Sequence, residues 1–145
     1  MTIWFDMDGT IANLYGVQNW LDYLMASDPT PYAIAKPLLR LNALARVLNN
    51  LQRKGYKVGV ISWLAKNSTA DYDEAVTKAK IDWLTKHLAS VAFDEINIVR
   101  YGTPKHLFAT CEADILFDDE EKNRNEWTGK AFDVNNILEV LKGLD

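Results

Sequence analysis

Short apolar runs that stop abruptly against acids are the feature that most constrains this chain. Ile3-Trp4-Phe5 gives way at once to Asp6-Met7-Asp8-Gly9, and Ile115-Leu116-Phe117 gives way to Asp118-Asp119. A run too short for a helix, apolar without alternation and bounded by turn formers, reads as a strand covered on both faces, as in a parallel sheet. Lys57-Val58-Gly59-Val60-Ile61, ending at Ser62-Trp63, fits the same description, and Ile96-Asn97-Ile98-Val99 reads as a further strand. Lys130-Ala131-Phe132-Asp133-Val134 is a fifth candidate.

Between these runs, apolar residues recur at helical spacing. Val17, Trp20, Leu21 and Leu24 predict a short helix, broken by Asp28-Pro29-Thr30-Pro31. Leu41, Leu44, Leu48 and Leu51 predict a longer one, starting near Pro37 and closed by Lys54-Gly55. Val76, Ala79, Trp83, Leu84 and Leu88 line a third, and Ile137, Leu138 and Leu141 a closing helix for which Asn136 and Glu139 would supply the starting cap. Strands alternating with helices imply right-handed crossovers and an α/β, doubly wound parallel sheet of Rossmann-like type. The expectation is one domain over residues 1–145 with a small helical insert around residues 14–30. Sheets of this kind gather their sites at the carboxyl ends of the strands. Asp6, Asp8, Ser62, Asp118 and Asp119 should therefore converge on one rim.

Composition narrows the chemistry. With 145 residues, 48% of them apolar and 25% charged, the chain can bury a core without disulfides. Cys111 is its single cysteine, so no intramolecular disulfide can form, and one thiol with His87 and His106 cannot build a cysteine-based zinc site. The net charge of -4 gives no support for a nucleic-acid-coating surface or a membrane patch. The first residues lack the basic segment and long apolar run of a secretory signal, and no run is long enough to span a bilayer. A cytoplasmic protein without membrane partners is expected, and nucleic acid would enter only as a substrate. Nothing in the pattern speaks to oligomeric state.

Four carboxylates on one rim repel one another unless a cation or proton lies between them. A hard cation with oxygen ligands answers that need, and magnesium is the common choice. The residues around these acids resemble a known family. Phe5-Asp6-Met7-Asp8-Gly9-Thr10-Ile11-Ala12 is similar to the first motif of the haloacid dehalogenase superfamily of phosphatases. The resemblance implies that Asp6 is a nucleophile attacking phosphorus, Asp8 a general acid and base, and Thr10 a group orienting Asp6. It also implies magnesium bound by the Asp6 side chain and the Asp8 backbone carbonyl.

The later motifs follow in order. Val58-Gly59-Val60-Ile61-Ser62 resembles the second, implying that the Ser62 hydroxyl and the Trp63 amide hold the transferring phosphoryl. Lys105, in Tyr101-Gly102-Thr103-Pro104-Lys105-His106, resembles the third-motif lysine that offsets charge at the nucleophile, with Lys66 or Lys80 as alternatives. Ile115-Leu116-Phe117-Asp118-Asp119 resembles the fourth, implying Asp118 as a direct magnesium ligand, Asp119 as one that acts through a water or from behind the ligands, and Asn123 in an orienting role.

The motif wording is most similar to the deoxyribonucleotidase branch, although the short insert departs from that branch's cap. The implied substrate is a nucleoside monophosphate or another small phosphate ester, with Trp63 placed to stack on a base. A larger substrate, such as a nucleic-acid 3'-phosphate or a phosphopeptide, is the alternative. Two other classes compete: a phosphoacceptor signalling receiver, and a binding protein on a catalytic fold. The receiver pattern wants adjacent acids after the first strand and an acceptor aspartate ending a mid-chain strand, and neither is present. His106 reads as an exposed loop residue, His87 as a helix-end cation, and Cys111 as core or incidental.

Overall fold

The computed structural model describes residues 1–145. In chain order the first half contains β1 (Thr2–Phe5), β2 (Ala12–Asn13), α1 (Trp20–Met25), α2 (Thr30–Ile34), β3 (Lys36–Pro37) and α3 (Leu41–Arg53). The second half contains β4 (Lys57–Trp63), α4 (Ala70–His87), β5 (Glu95–Val99), β6 (Ile115–Phe117), α5 (Glu121–Glu126), β7 (Ala131–Phe132) and α6 (Ile137–Leu144). Five strands make one parallel sheet in the order β5-β4-β1-β6-β7, as the alternation of runs and helices predicts.

Central β1 explains its own sequence. Phe5 lies opposite Val60 on one side and Phe117 on the other, and every residue of the strand is buried. Ile3 and Phe5 face the larger core with Leu44, Leu48 and Leu51 of α3 and Trp83 and Leu84 of α4. Trp4 points the other way, onto Ile61, Leu116 and Trp127. Its ring lies across Gly59, where a Cβ would sit 2.4 Å from the indole. The glycine inside β4 is therefore the space that Trp4 occupies.

Several boundaries differ from the sequence expectation. Asp28-Pro29-Thr30-Pro31 does end α1, but it also starts α2. Pro31 lies in the first turn, where its missing N–H costs nothing, and Asp28 Oδ1 accepts the Thr30 amide at 2.9 Å. The insert thus carries two helices where one was expected, and it runs on to Ala35. The longer helix begins at Leu41, because Lys36-Pro37 pairs antiparallel with Ala12-Asn13 to close a two-strand hairpin around the insert. The fifth strand is only Ala131–Phe132. Asn136 makes no side-chain cap; Asp133 instead caps the 3-10 turn Val134–Asn136 through the Val134 amide. No helix is long and apolar enough to cross a membrane.

Candidate active site

Asp6 stands one residue past β1, and its amide still donates to Phe117 O at 2.9 Å. The sheet thus fixes where its carboxylate emerges. Beyond it the chain wraps around one acceptor, with the amides of Thr10, Ile11 and Ala12 all donating to Met7 O at 3.0 Å. Gly9 turns this loop at a φ of +81°, and a Cβ there would meet Asp119 Oδ2 at 2.4 Å. Only glycine lets the first acidic loop close on the second.

Both oxygens of Asp6 are occupied. Lys105 Nζ donates to Oδ1 at 2.9 Å and Thr10 Oγ1 to Oδ2 at 3.0 Å. Lys105, 2% exposed, also donates to Asp118 Oδ2 at 2.7 Å. The Glu120 amide donates to Asp118 Oδ1 at 2.9 Å, and Asn123 Nδ2 reaches Asp118 Oδ2 at 3.2 Å. Carboxylate oxygens of Asp6, Asp118 and Asp119 lie within 4.8 Å of one another. Burial first, then the Asp6 charge, push Asp118 up to about 6 and Asp119 up to about 8. Burial alone would lower Lys105, but Asp6 and Asp118 hold it well above the usual lysine range. Three carboxylates with one ammonium leave a negative surplus made only of oxygen donors. That donor set fits a magnesium-like cation.

Asp8 is seated apart from this cluster. Its Oδ2 accepts from Lys80 Nζ at 2.9 Å, and the same nitrogen donates to Ser62 Oγ and to Trp63 O, each at 2.7 Å. Burial pushes the Asp8 carboxyl up, Lys80 opposes, and the Asp6 charge adds to the rise. Lys80 and Lys105, treated by sequence as alternatives, both reach the rim acids; Lys66 is exposed and makes no ion pair.

A cavity of 280 Å³ opens over Asp6, Asp8, Lys105, Asp118 and Asp119. Leu14, Tyr15, Trp20 and Tyr32 of the insert wall one side, and Trp63 and Tyr101 the other. Thr10 and Ser62 are fully buried and lie behind this wall rather than on it. Trp63 is held by its ring nitrogen, which donates to Thr103 O at 2.9 Å, and by an edge-on contact with Tyr101 at 5.1 Å. His106 is half-buried rather than exposed, with Nδ1 unpartnered, and it stands outside the cavity. His87 ends α4 with its ring against Trp83. Cys111 is exposed, so it is not core; its thiol lies 3.3 Å from Asp114 Oδ1. Asp114, to which no motif assigns a role, is a fully buried carboxylate at the opposite end of β6.

No known protein family matches the chain by sequence, and no curated protein does. Among solved structures, the fold is similar to the crystal structure of D,D-heptose 1,7-bisphosphate phosphatase from Burkholderia thailandensis, with a TM-score of 0.50 at 14% identity over 86% of this chain and 69% of that one. At that identity the likeness speaks to the fold alone: a parallel sheet between helices.

Proposed function

We propose that this protein is a magnesium-dependent phosphomonoester hydrolase that works through an aspartyl-phosphate on Asp6. The observation that carries this reading is the separation of two acids only two residues apart. Asp6 shares Lys105 with Asp118 in the oxygen cluster, while Asp8 has its own buried lysine, Lys80, and both open on one cavity. A nucleophile and a proton donor need such different surroundings.

In the first step a carboxylate oxygen of Asp6 bonds to phosphorus as the bond to the leaving oxygen breaks, and that oxygen takes the Asp8 proton. In the second, the Asp8 carboxylate accepts a proton from water, whose oxygen attacks phosphorus. Inorganic phosphate leaves and the Asp6 carboxylate is restored. Lys105 offsets the charge gathered on Asp6 and the phosphoryl group, and Asn123 steadies Asp118. Asp6, Asp118 and Asp119 would hold magnesium, with the Asp8 carbonyl as a further ligand; when bound, the ion neutralises phosphoryl oxygens as a Lewis acid. The upward push on Asp8 suits a group that must carry a proton.

The substrate is a nucleoside monophosphate. Tyr15, Trp20, Trp63 and Tyr101 give the cavity aromatic walls above its charged floor, which suits a flat base joined to a phosphate. The test is phosphate release with magnesium present, across nucleotides, sugar phosphates, phosphopeptides and 3'-phosphorylated oligonucleotides. Wild type should favour nucleotides, and folded Asp6→Asn should lose activity by about a thousandfold or more. Retention of a tenth of wild-type turnover by Asp6→Asn would exclude the nucleophile.

A further inference from the structure

A lysine ammonium is costly to remove from water unless all three of its protons find acceptors. Lys80 is 1% exposed, and its nitrogen has three acceptors: Asp8 Oδ2, Ser62 Oγ and Trp63 O. The ring of Tyr32, from α2 of the insert, lies 5.1 Å from the same nitrogen. Around it on α4 the buried positions are Tyr72, Val76, Trp83 and Leu84, a stripe on which leucine would pack without any such requirement. What the ammonium does is join three separate pieces: the loop bearing Asp8, the end of β4 at Ser62, and the insert. Lys105 touches Asp6 and Asp118, so the two lysines divide the site between them.

We propose that Lys80 is a positioning residue that fixes the proton-donating carboxyl of Asp8 against the phosphoryl end of the cavity, and that it ties the insert to that carboxyl through Tyr32. The assignment rests on the reaction proposed above. Up to departure of the leaving group the role is one of protonating that group, so a defect there depends on the ester, whereas a lysine that only pins α4 to the sheet would affect every substrate alike.

The two roles separate on leaving groups. Nitrophenolate departs with little protonation; an alkoxide does not. Lys80→Met keeps the stem and removes the ammonium. Its kcat/KM on an alkyl phosphate, which reports only the steps up to departure of the leaving group, should fall about a hundredfold, within the range of a general acid, and on nitrophenyl phosphate at least tenfold less steeply. Asp8→Asn should show the same selectivity, and Lys80→Met should add little in the Asp8→Asn background, since both remove one function. Equal losses on the two substrates, or additive losses in the double variant, would overturn the assignment. If a melting curve shows Lys80→Met unfolded, Lys80→Gln, which keeps a neutral donor, is judged by the same ratio. Wild type inactive on both esters, or Asp6→Asn still active, sinks the phosphatase reading and the Lys80 role with it. An active wild type with an inactive Asp6→Asn leaves only Lys80 in question.

Discussion

Asp114→Asn should destabilise the protein by about 3 kcal/mol at neutral pH without touching catalysis. The Asp114 carboxylate sits just before β6, fully buried, and accepts the Thr2 amide at 2.7 Å, Trp4 Nε1 at 3.1 Å, and the Thr110 amide and hydroxyl at 2.6 and 2.7 Å. Burial alone would raise its pKa, but these donors hold it down at about 2 against an ordinary 3.8. At 1.36 kcal/mol per tenfold, that gap is worth about 2 kcal/mol. The asparagine amide also turns N–H groups toward donors and leaves at least one unsatisfied, which adds about 1 kcal/mol or more. The sign follows from the lowered folded value: the stabilisation is complete above about pH 4 and is lost as pH falls toward 2. Urea unfolding of wild type and variant, from pH 7 down to pH 2, measures both quantities. The difference between them should shrink by about 2 kcal/mol over the acid limb, while kcat of the folded variant stays at the wild-type value. A cost below 1 kcal/mol at pH 7, or a difference that does not change with pH, refutes the reasoning.

Magnesium should raise the melting temperature by about 5–10 °C at a hundredfold excess over its Kd, and Asp118→Ala should abolish the rise; an equal rise in the variant would remove Asp118 from the ligand set. Because Asp118 and Asp119 are raised in the fold from the ordinary 3.8 to about 6 and about 8, metal-free protein should lose stability as pH climbs from about 4 up to about 8. Magnesium should flatten the slope, and melting curves in chelator that are level from pH 5 to 8.5 would contradict it. Gly9→Ala should cost about 1–2 kcal/mol for its positive φ and lower kcat by displacing the Asp119 carboxylate; kinetics at wild-type level would show that the close approach is unimportant. Trp63→Ala should weaken kcat/KM about tenfold for nucleoside monophosphates and spare small sugar phosphates, whereas a uniform loss with a lower melting temperature would make the ring packing only.

The sheet was legible because two-sided burial leaves a strand no room for polar residues. Ile3-Trp4-Phe5 and Ile115-Leu116-Phe117 therefore announce themselves, and the residue that breaks each run marks the rim. The hairpin Ala12–Asn13 with Lys36–Pro37 was not legible, since two-residue strands carry no period to read. Helix α2 was hidden by its own prolines, which signal a break and a first turn equally well.

Position relative to a run also tells two kinds of acid apart. Asp114 and Asp118 flank the same three residues, yet the donors around the acid before β6 outweigh its burial and drive it down, while burial, with the Asp6 charge added, drives the acid after it up. The strand direction that puts one at each end is legible in the sequence, and it alone separates Asp114 from the rim. Lys80 left a signal of the same kind. It falls four residues after Val76 and three before Trp83, on the stripe that α4 buries. A lysine there conflicts with the helix's own periodicity, and such a conflict marks either an error in the assigned face or a charge with buried partners. The buried partners here are Asp8 and Ser62, both of which the sequence had already placed at the rim. The misfit on the helix and the acid after the strand were two ends of one contact.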